Sequence, residues 1–406
     1  MFRAPNARSY PPPLRGQQKH ATFAAKTGQG VLTVTMNVAT TLSVATVPRV
    51  SARDLAIASE LVPGTHSALG ETLMLCHDRN TGLSAAIAVD DTTLGPGLGG
   101  VRWMPYTSFD AAVEEACRLS QGMTLKNALA DIPYGGAKSV IMRQEGERDD
   151  PAWREAQLRS FAGFVKRLGG AYIPGVDMGT SVGDLAVIST VAPWVSCNHD
   201  DPSPATASGV FHAIAAAVRH VLGRDLSGVK VTVQGAGHVG SSLARLLADR
   251  GAIVGVADVD ARRADAVARS VGGVVVAPKD ALTRLCDVLA PCASARVLRH
   301  ESIEMLRCPL IVGAANDVLA ERSCAEHLAD RGIVYVPDFL SNAGGVLQIH
   351  AERAGWDADR LDLSLAAVGG RTFELLDEAA ATGALPLHVA EQWASARLGR
   401  TVTIPD

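Results

Sequence analysis

The sequence predicts an α/β fold of two domains with a cleft between them, and three observations predict it. From about Pro204 onward, apolar β-branched stretches alternate with helical stretches, the pattern of a parallel, doubly wound sheet. Ala, Val, Leu and Gly dominate and aromatic residues are only 4%, which suits helices packed on parallel strands better than an all-β sandwich. The 406 residues are enough, at roughly 150 per domain, for two or three domains with a sizeable core.

Composition also excludes several classes of function. Hydrophobic residues make up 47% and charged residues 20%, with a mean hydropathy of +0.14, which rules out long disorder for most of the chain. A net charge of −4 without basic surplus argues against a nucleic-acid partner. No apolar run approaches the ~20 residues needed to cross a bilayer, so no membrane partner is expected. The seven cysteines (Cys76, Cys117, Cys197, Cys286, Cys292, Cys308 and Cys324) are odd in number, scattered and without a CxxC pair. They read as reduced, mostly buried thiols of a cytoplasmic protein, with no metal site and no disulfide framework.

Residues 1–52 stand apart: six basic residues, no Asp or Glu, and a Pro11-Pro12-Pro13 run. The segment overlaps in composition with organelle transit peptides, or is a disordered leader with Met36 as a later start. Either reading sets it outside the fold. Residues 53–203 form the first domain, with an alternating apolar run from Leu83 to Val89, a Gly-rich turn at Gly95-Pro96-Gly97-Leu98-Gly99-Gly100, and a helix that Ser108 caps. A second Gly-rich turn then leads into a short strand, Ser139 to Met142. Residues 204–345 carry strands at Lys230–Gln234, Ile253–Ala257, Val288–Ala290, Leu310–Val312 and Ile333–Val336, with a helix from Val239. Residues 346–406 are amphipathic helices expected to pack back on the body.

Gly235-Ala236-Gly237-His238-Val239-Gly240 is a GxGxxG set between a β-branched strand and a helix. Gly235 permits the tight turn, Gly237 lets a pyrophosphate reach the backbone, and Gly240 allows close helix–strand packing, so this is a Rossmann dinucleotide site. Asp258, eighteen residues past Gly240 at the end of the next strand, is placed to bond the ribose hydroxyls. That favours NAD, although Arg262 and Arg263 nearby are where a 2′-phosphate would be met.

The first domain carries Gly122-Met123-Thr124-Leu125-Lys126, then Gly135-Gly136-Ala137-Lys138, then Gly175-Val176-Asp177. Two lysines twelve residues apart can bring ammonium groups to one anion. Spacing alone fits solvated lysines and an ordinary loop acid better than a catalytic set.

These motifs, together with Val101-Arg102, Thr206, Ala290-Pro291-Cys292-Ala293, Gly313-Ala314-Ala315-Asn316 and Ser341-Asn342-Ala343-Gly344-Gly345, occur in the order found in the glutamate/leucine/phenylalanine/valine dehydrogenase family. The chain resembles that family from about Ser51 to its C-terminus. The resemblance implies an N-terminal α/β substrate and oligomerisation domain, a homo-oligomer, and oxidative deamination of an L-amino acid to its 2-oxo acid with release of ammonia. It implies that Lys138 is the catalytic lysine and Asp177 its proton-transfer partner. Lys126 would grip the substrate carboxylate beside Met123, helped by backbone N–H groups of Gly99 and Gly100. Asn316 and Asn342 would orient substrate and nicotinamide, and Thr206 would hold the carboxamide. Cys292 and Ala293 would pack by the nicotinamide ribose, with Gly235, Gly237, His238, Val239, Gly240 and Asp258 at the dinucleotide.

By the same resemblance Leu98, Val346 and Ile349 line the side-chain pocket, although core packing serves Val346 and Ile349 equally well. Leu98 stands where a glutamate enzyme needs a cation, so an apolar substrate follows: leucine, valine or isoleucine first, phenylalanine next because of Gly175. Two rivals remain. A silent nucleotide-binding scaffold of the same fold would lack a proton-transfer group, and a 2-hydroxy-acid dehydrogenase would use a His/carboxylate pair.

Overall fold

The computed structural model describes residues 20–27, 30–37 and 41–43 as backbone strands, and residues 70–143, 150–196 and 201–404 in full. Strands β1 (His20–Thr27), β2 (Gly30–Asn37) and β3 (Thr41–Ser43) fall in the segment that sequence alone sets aside, and β1 runs parallel to β4 (Thr72–Asp78). The rest of residues 1–52, which the leader reading also covers, and Cys197 lie outside the described residues.

The first domain is an eight-stranded sheet in the order β3-β2-β1-β4-β5-β7-β6-β8, with β5 at Leu83–Asp91, β6 at Gly97–Pro105, β7 at Gly135–Arg143 and β8 at Tyr172–Val176. Leu83–Val89 is a strand, but its burial does not alternate, because both faces are covered. Ala86 and Ala88 pack with Val113 and Ala116 of helix α1 (Phe109–Leu129). Ala85, Ile87 and Val89 pack with Phe161 of α2 (Pro151–Arg167) and Leu185 of α3 (Val182–Ser189). As expected, the Ser108 hydroxyl caps α1, accepting from the Ala111 N–H at 3.1 Å.

The two Gly-rich turns need correction. Gly97–Gly100 lies within β6, and Gly135–Gly136 opens β7. These glycines serve close approach. A Cβ on Gly99 would lie 1.6 Å from the Ala137 carbonyl oxygen, and one on Gly136 would lie 2.2 Å from the Thr124 backbone nitrogen. Lys138 is therefore held in a strand buried on both sides, where sequence reading places it after a flexible glycine pair.

Helix α4 (Ser203–Leu222) begins the second half. By length and composition it would pass as a membrane-crossing helix, with a mean hydropathy of 1.2, but it packs among helices of the second domain. The Rossmann sheet runs β11-β10-β9-β12-β13-β14, all parallel: β9 Lys230–Gln234, β10 Ile253–Ala257, β11 Val274–Val275, β12 Val288–Pro291, β13 Leu310–Ile311 and β14 Val334–Tyr335. This is the 3-2-1-4-5-6 order of a doubly wound dinucleotide domain. Helix α5 (His238–Asp249) follows β9, and α6 (Ala261–Ser270), α7 (His300–Met305) and α8 (Ser323–Asp330) complete the crossovers.

After the short α9 (Asp338–Ser341), the chain returns through α10 (Gly344–Ala354), α11 (Ala358–Thr382) and α12 (Pro386–Leu398). α10 and α11 pack on α4, and α12 packs on α1 of the first domain. Arg400 then binds Asp91 at 2.7 Å and Asp90 at 3.4 Å, fastening the C-terminal segment to the edge of β5.

Because the Gly99 position has no room for a methyl group, Gly99→Ala is expected to lower stability by about 3 kcal/mol or more. Urea denaturation checks this, and an unchanged midpoint would contradict the close-approach account.

Candidate active site

A cleft open to solvent lies between the domains. From the first domain a single stripe of α1 faces it: Arg118, Leu119, Gly122, Met123 and Lys126. Lys138 joins them from β7, and Asn316, Val318 and Phe339 close the opposite side.

Lys138 points toward the start of the loop after β8, where its Nζ lies 2.9 Å from Asp177 Oδ2, with only 6% of the side chain exposed. Asp177 is set by its neighbours: its N–H donates to Thr180 Oγ1 at 3.0 Å, and the Thr180 hydroxyl donates to the Val101 carbonyl at 2.7 Å. Gly100 leaves the space for this pair. A Cβ there would stand 2.7 Å from Asp177 Cβ and 3.3 Å from Lys138 Nζ. In the structure Gly99 and Gly100 thus supply room within β6, and the hydroxyl of buried Tyr172 reaches the Gly99 carbonyl at 3.1 Å.

A cation stands beside this pair, and sequence reasoning gives it no role. It is Arg102, whose Nε donates to Asp177 Oδ2 at 2.8 Å and whose other end pairs with Glu115. Burial lowers the pKa of Lys138, Asp177 pulls it back up, and Arg102 pushes it down again; the net shift is downward. For Asp177 burial alone would raise the pKa, but Lys138 and Arg102 outweigh it and hold the carboxyl well below the usual range. The signal for Arg102 was its place on the same strand as the glycines, two residues past Gly100.

Lys126 reaches the cleft from the last turn of α1 and donates to Asn316 Oδ1 at 2.6 Å. Among the described residues no carboxylate pairs with it. Burial, with the Lys138 charge in the same direction, brings it down to about 8 against the pull of Asp338. A buried ammonium whose contact is a neutral amide is a site for an added anion. Asp338, which sequence reading did not single out, lines the same cleft. Burial raises it to about 6, while the Val318 N–H and the Lys126 charge oppose the rise.

Asn342 donates to Asn316 Oδ1 at 2.9 Å and to the Ala314 carbonyl at 3.1 Å, so the two amides stand together with Lys126. Leu98, Val346 and Ile349 are the residues that the resemblance puts at the pocket wall. All three are buried in the core: Leu98 in the middle of β6 between two strands, and Val346 and Ile349 on α10 where it packs on α4 and α11. Met123 does line the cleft.

The residues read as the dinucleotide site lie around the turn after β9. Gly235 has φ +107, and a Cβ on it would meet Ala293 Cβ at 2.8 Å; one on Gly240 would meet the Gly235 carbonyl oxygen at 1.9 Å. Gly237 faces open space, and as N-cap of α5 it offers no side chain to the first N–H groups. That is a cradle suited to a phosphate. Asp258 Oδ2 accepts the Ala236 N–H at 2.7 Å and so ties the end of β10 to the turn.

Val239 packs against the core, while the His238 side chain is 83% exposed and bonds Asp201 at 3.0 Å. Cys292 N–H donates to the Gln234 carbonyl at 2.7 Å, and burial pushes its thiol up to about 12, which makes it a packing residue. Thr206 sits in the first turn of α4, its hydroxyl donating to the Pro202 carbonyl at 3.0 Å. Asn342 Oδ1 is buried without a hydrogen-bond partner among the described residues, an acceptor left for an added donor.

The profile of the Glu/Leu/Phe/Val dehydrogenase dimerisation domain matches residues 72–192, and that of Glutamate/Leucine/Phenylalanine/Valine dehydrogenase matches residues 199–266 and 260–390. The chain belongs to the glutamate/leucine/phenylalanine/valine dehydrogenase family. It is 36% identical over 335 residues to the leucine dehydrogenase of Thermoactinomyces intermedius, covering 81% of this chain and 90% of that one. With the valine dehydrogenase of Streptomyces virginiae it shares 37% over 343 residues, covering 81% and 93%. The crystal structure of L-tryptophan dehydrogenase from Nostoc punctiforme superposes with a TM-score of 0.70 at 34% identity, covering 82% of this chain and 97% of that one. As a member of this family the protein is an amino acid dehydrogenase, and the silent-scaffold and 2-hydroxy-acid readings fall away.

Removing the Arg102 charge takes away one cause of the low Lys138 pKa and leaves Asp177 to the lysine alone, so both changes act in the same direction. Arg102→Gln is expected to move the acidic limb of the kcat/KM profile for the amino acid alkaline by about one pH unit. A limb that stays in place would contradict the assignment.

Proposed function

We propose that the enzyme catalyses NAD-dependent oxidative deamination of an apolar L-amino acid to its 2-oxo acid and ammonia, in the cytoplasm and as a homo-oligomer. The observation that carries this reading is that Lys138, enclosed and 2.9 Å from Asp177, lines the same cleft as Lys126, with which no carboxylate pairs among the described residues. Lys126 receives the substrate α-carboxylate, and Asn316 and Asn342 fix its orientation. Asp177, held ionised by Arg102, faces the α-ammonium and takes part in passing its proton on. Lys138, whose pKa burial lowers, is the group that deprotonates the attacking water and shuttles protons as the carbinolamine collapses.

The uncapped α5 N-terminus, Gly237 and Asp258 would hold the dinucleotide, with Asn342 Oδ1 as a free acceptor beside the reaction centre. A nicotinamide bound there supplies the hydride acceptor for the substrate Cα. The Asp258 carboxylate at the end of β10 supports NAD over NADP.

An apolar side chain is favoured by the wall of the cleft, where Leu119, Met123, Val318 and Phe339 lie. Arg118, the cation on that wall, is already paired with Asp317 and so is not free for a distal carboxylate. The leucine, valine and tryptophan dehydrogenases among the relatives support the same class, with branched aliphatic substrates first and aromatic ones as the second reading. A difference of a methylene or two is worth only about 1–3 kcal/mol, so activity across several apolar amino acids is expected.

A panel of L-amino acids against NAD and NADP tests the proposal: reduction of NAD with leucine or valine is expected, and no turnover with any apolar amino acid would overturn it. Lys138→Ala is expected to lower kcat by at least about 1,000-fold while NADH binding changes little. Comparable loss of NADH binding would make the lysine structural. Asp258→Ala should weaken NAD far more than NADP; equal loss would remove the cofactor assignment.

A further inference from the structure

Seven ionised side chains of alternating sign run in an unbroken series from the reaction centre across the cleft. Lys138 pairs with Asp177 at 2.9 Å, and Asp177 with Arg102 at 2.8 Å. Arg102 also pairs with Glu115, which lies 3.9 Å from Arg118. Arg118 pairs with Asp317, and Arg296 approaches the same carboxylate at 3.3 Å. The first five groups belong to the N-terminal domain; Asp317 and Arg296 belong to the Rossmann domain. The series therefore crosses between domains at Arg118–Asp317.

Two further observations tie that crossing to the substrate site. Asp317 has φ 55°, a left-handed conformation that Asp tolerates better than most residues. It directly follows Asn316, the residue that Lys126 touches at 2.6 Å. Consecutive residues of one Rossmann-domain segment thus meet α1 at two points, Lys126 and Arg118, two turns apart on the stripe that lines the cleft. The Arg118 and Asp317 side chains are only 16% and 22% exposed, so solvent screens this pair less than a surface ion pair.

We propose that Arg118 is a positioning residue for the deamination: its pair with Asp317 latches the Rossmann-domain segment onto α1 when the cleft closes. The latch seats Asn316 over Lys126 and so brings the carboxylate anchor into register with the dinucleotide site. The proposal rests on the deamination reading above. Because the latch joins the domains without contacting the cofactor cradle, it acts on the ternary complex and leaves dinucleotide binding alone. Misplacement by about an ångström at such a site costs on the order of 100-fold in rate.

The test is a double-mutant cycle with Arg118→Gln and Asp317→Asn, the latter keeping a residue that accepts the left-handed backbone. Kinetics with the best apolar amino acid, NADH affinity without amino acid, and melting temperature are measured for each variant, and Arg118→Lys is the rescue. Each single variant is expected to lose 10- to 100-fold in kcat/KM with NADH affinity within twofold of the parent. The double variant should be no worse than the weaker single one, and Arg118→Lys should recover most of the loss. The latch is overturned by a kcat/KM within twofold of the parent for Arg118→Gln, by losses that multiply in the double variant, or by losses that track falling NADH affinity and melting temperature. A parent enzyme inactive with every amino acid would instead defeat the functional reading, so the two failures are distinguishable.

Discussion

The whole arrangement depends on an ammonium group kept out of water in the middle of a sheet. An amine so placed loses hydration and gives up its proton more readily, and only a carboxylate at hydrogen-bond distance keeps it from being driven neutral outright. Lys138 and Asp177 strike that balance, and Arg102 tilts it by drawing on the same carboxylate oxygen. Much of the first domain is arranged around the pair. The glycines of β6 and β7 let three strands and α1 close in without side chains, and Tyr172 fills the space above them with its hydroxyl on the Gly99 carbonyl.

The second domain supplies the partner surface. Its sheet ends at a glycine turn with bare N–H groups, and its β13–α8 and β14–α9 connections bring Asn316 and Asp338 up to the lysines of the first domain. The chain then crosses back. α12 packs on α1, Arg397 pairs with Asp131, and Arg400 pairs with Asp90 and Asp91, so the C-terminal segment fastens back onto the first domain. A fold that fastens both domains at one edge and leaves polar contacts across the other suits a site that opens for exchange and closes for hydride transfer.

What could be read from the sequence was what is written locally. β9 and β10 fall where their β-branched runs end in Gly235 and Asp258, and the Ser108 cap and the GxGxxG turn each fit within a few residues. The N-terminal glycines were misread because glycine signals a turn locally, whereas here it answers a neighbour on another strand, as with Gly99 against Ala137. Arg102 and Asp177 are 75 residues apart and Lys126 and Asn316 are 190 apart, so their contacts follow from topology and not from spacing. Leu119 and Val318 were not singled out for the same reason: they face the cleft because α1 and the 316–319 segment meet there.

The central claim is the partly unprotonated state of one buried amine. Its direct measurement is an NMR titration of the lysine side chains enriched with carbon-13 at Cε, with the Lys138 resonance assigned by Lys138→Arg. The account predicts a midpoint for Lys138 clearly below the ordinary lysine value of 10.5, moving upward in Arg102→Gln. A midpoint at or above that value in the intact enzyme would contradict it.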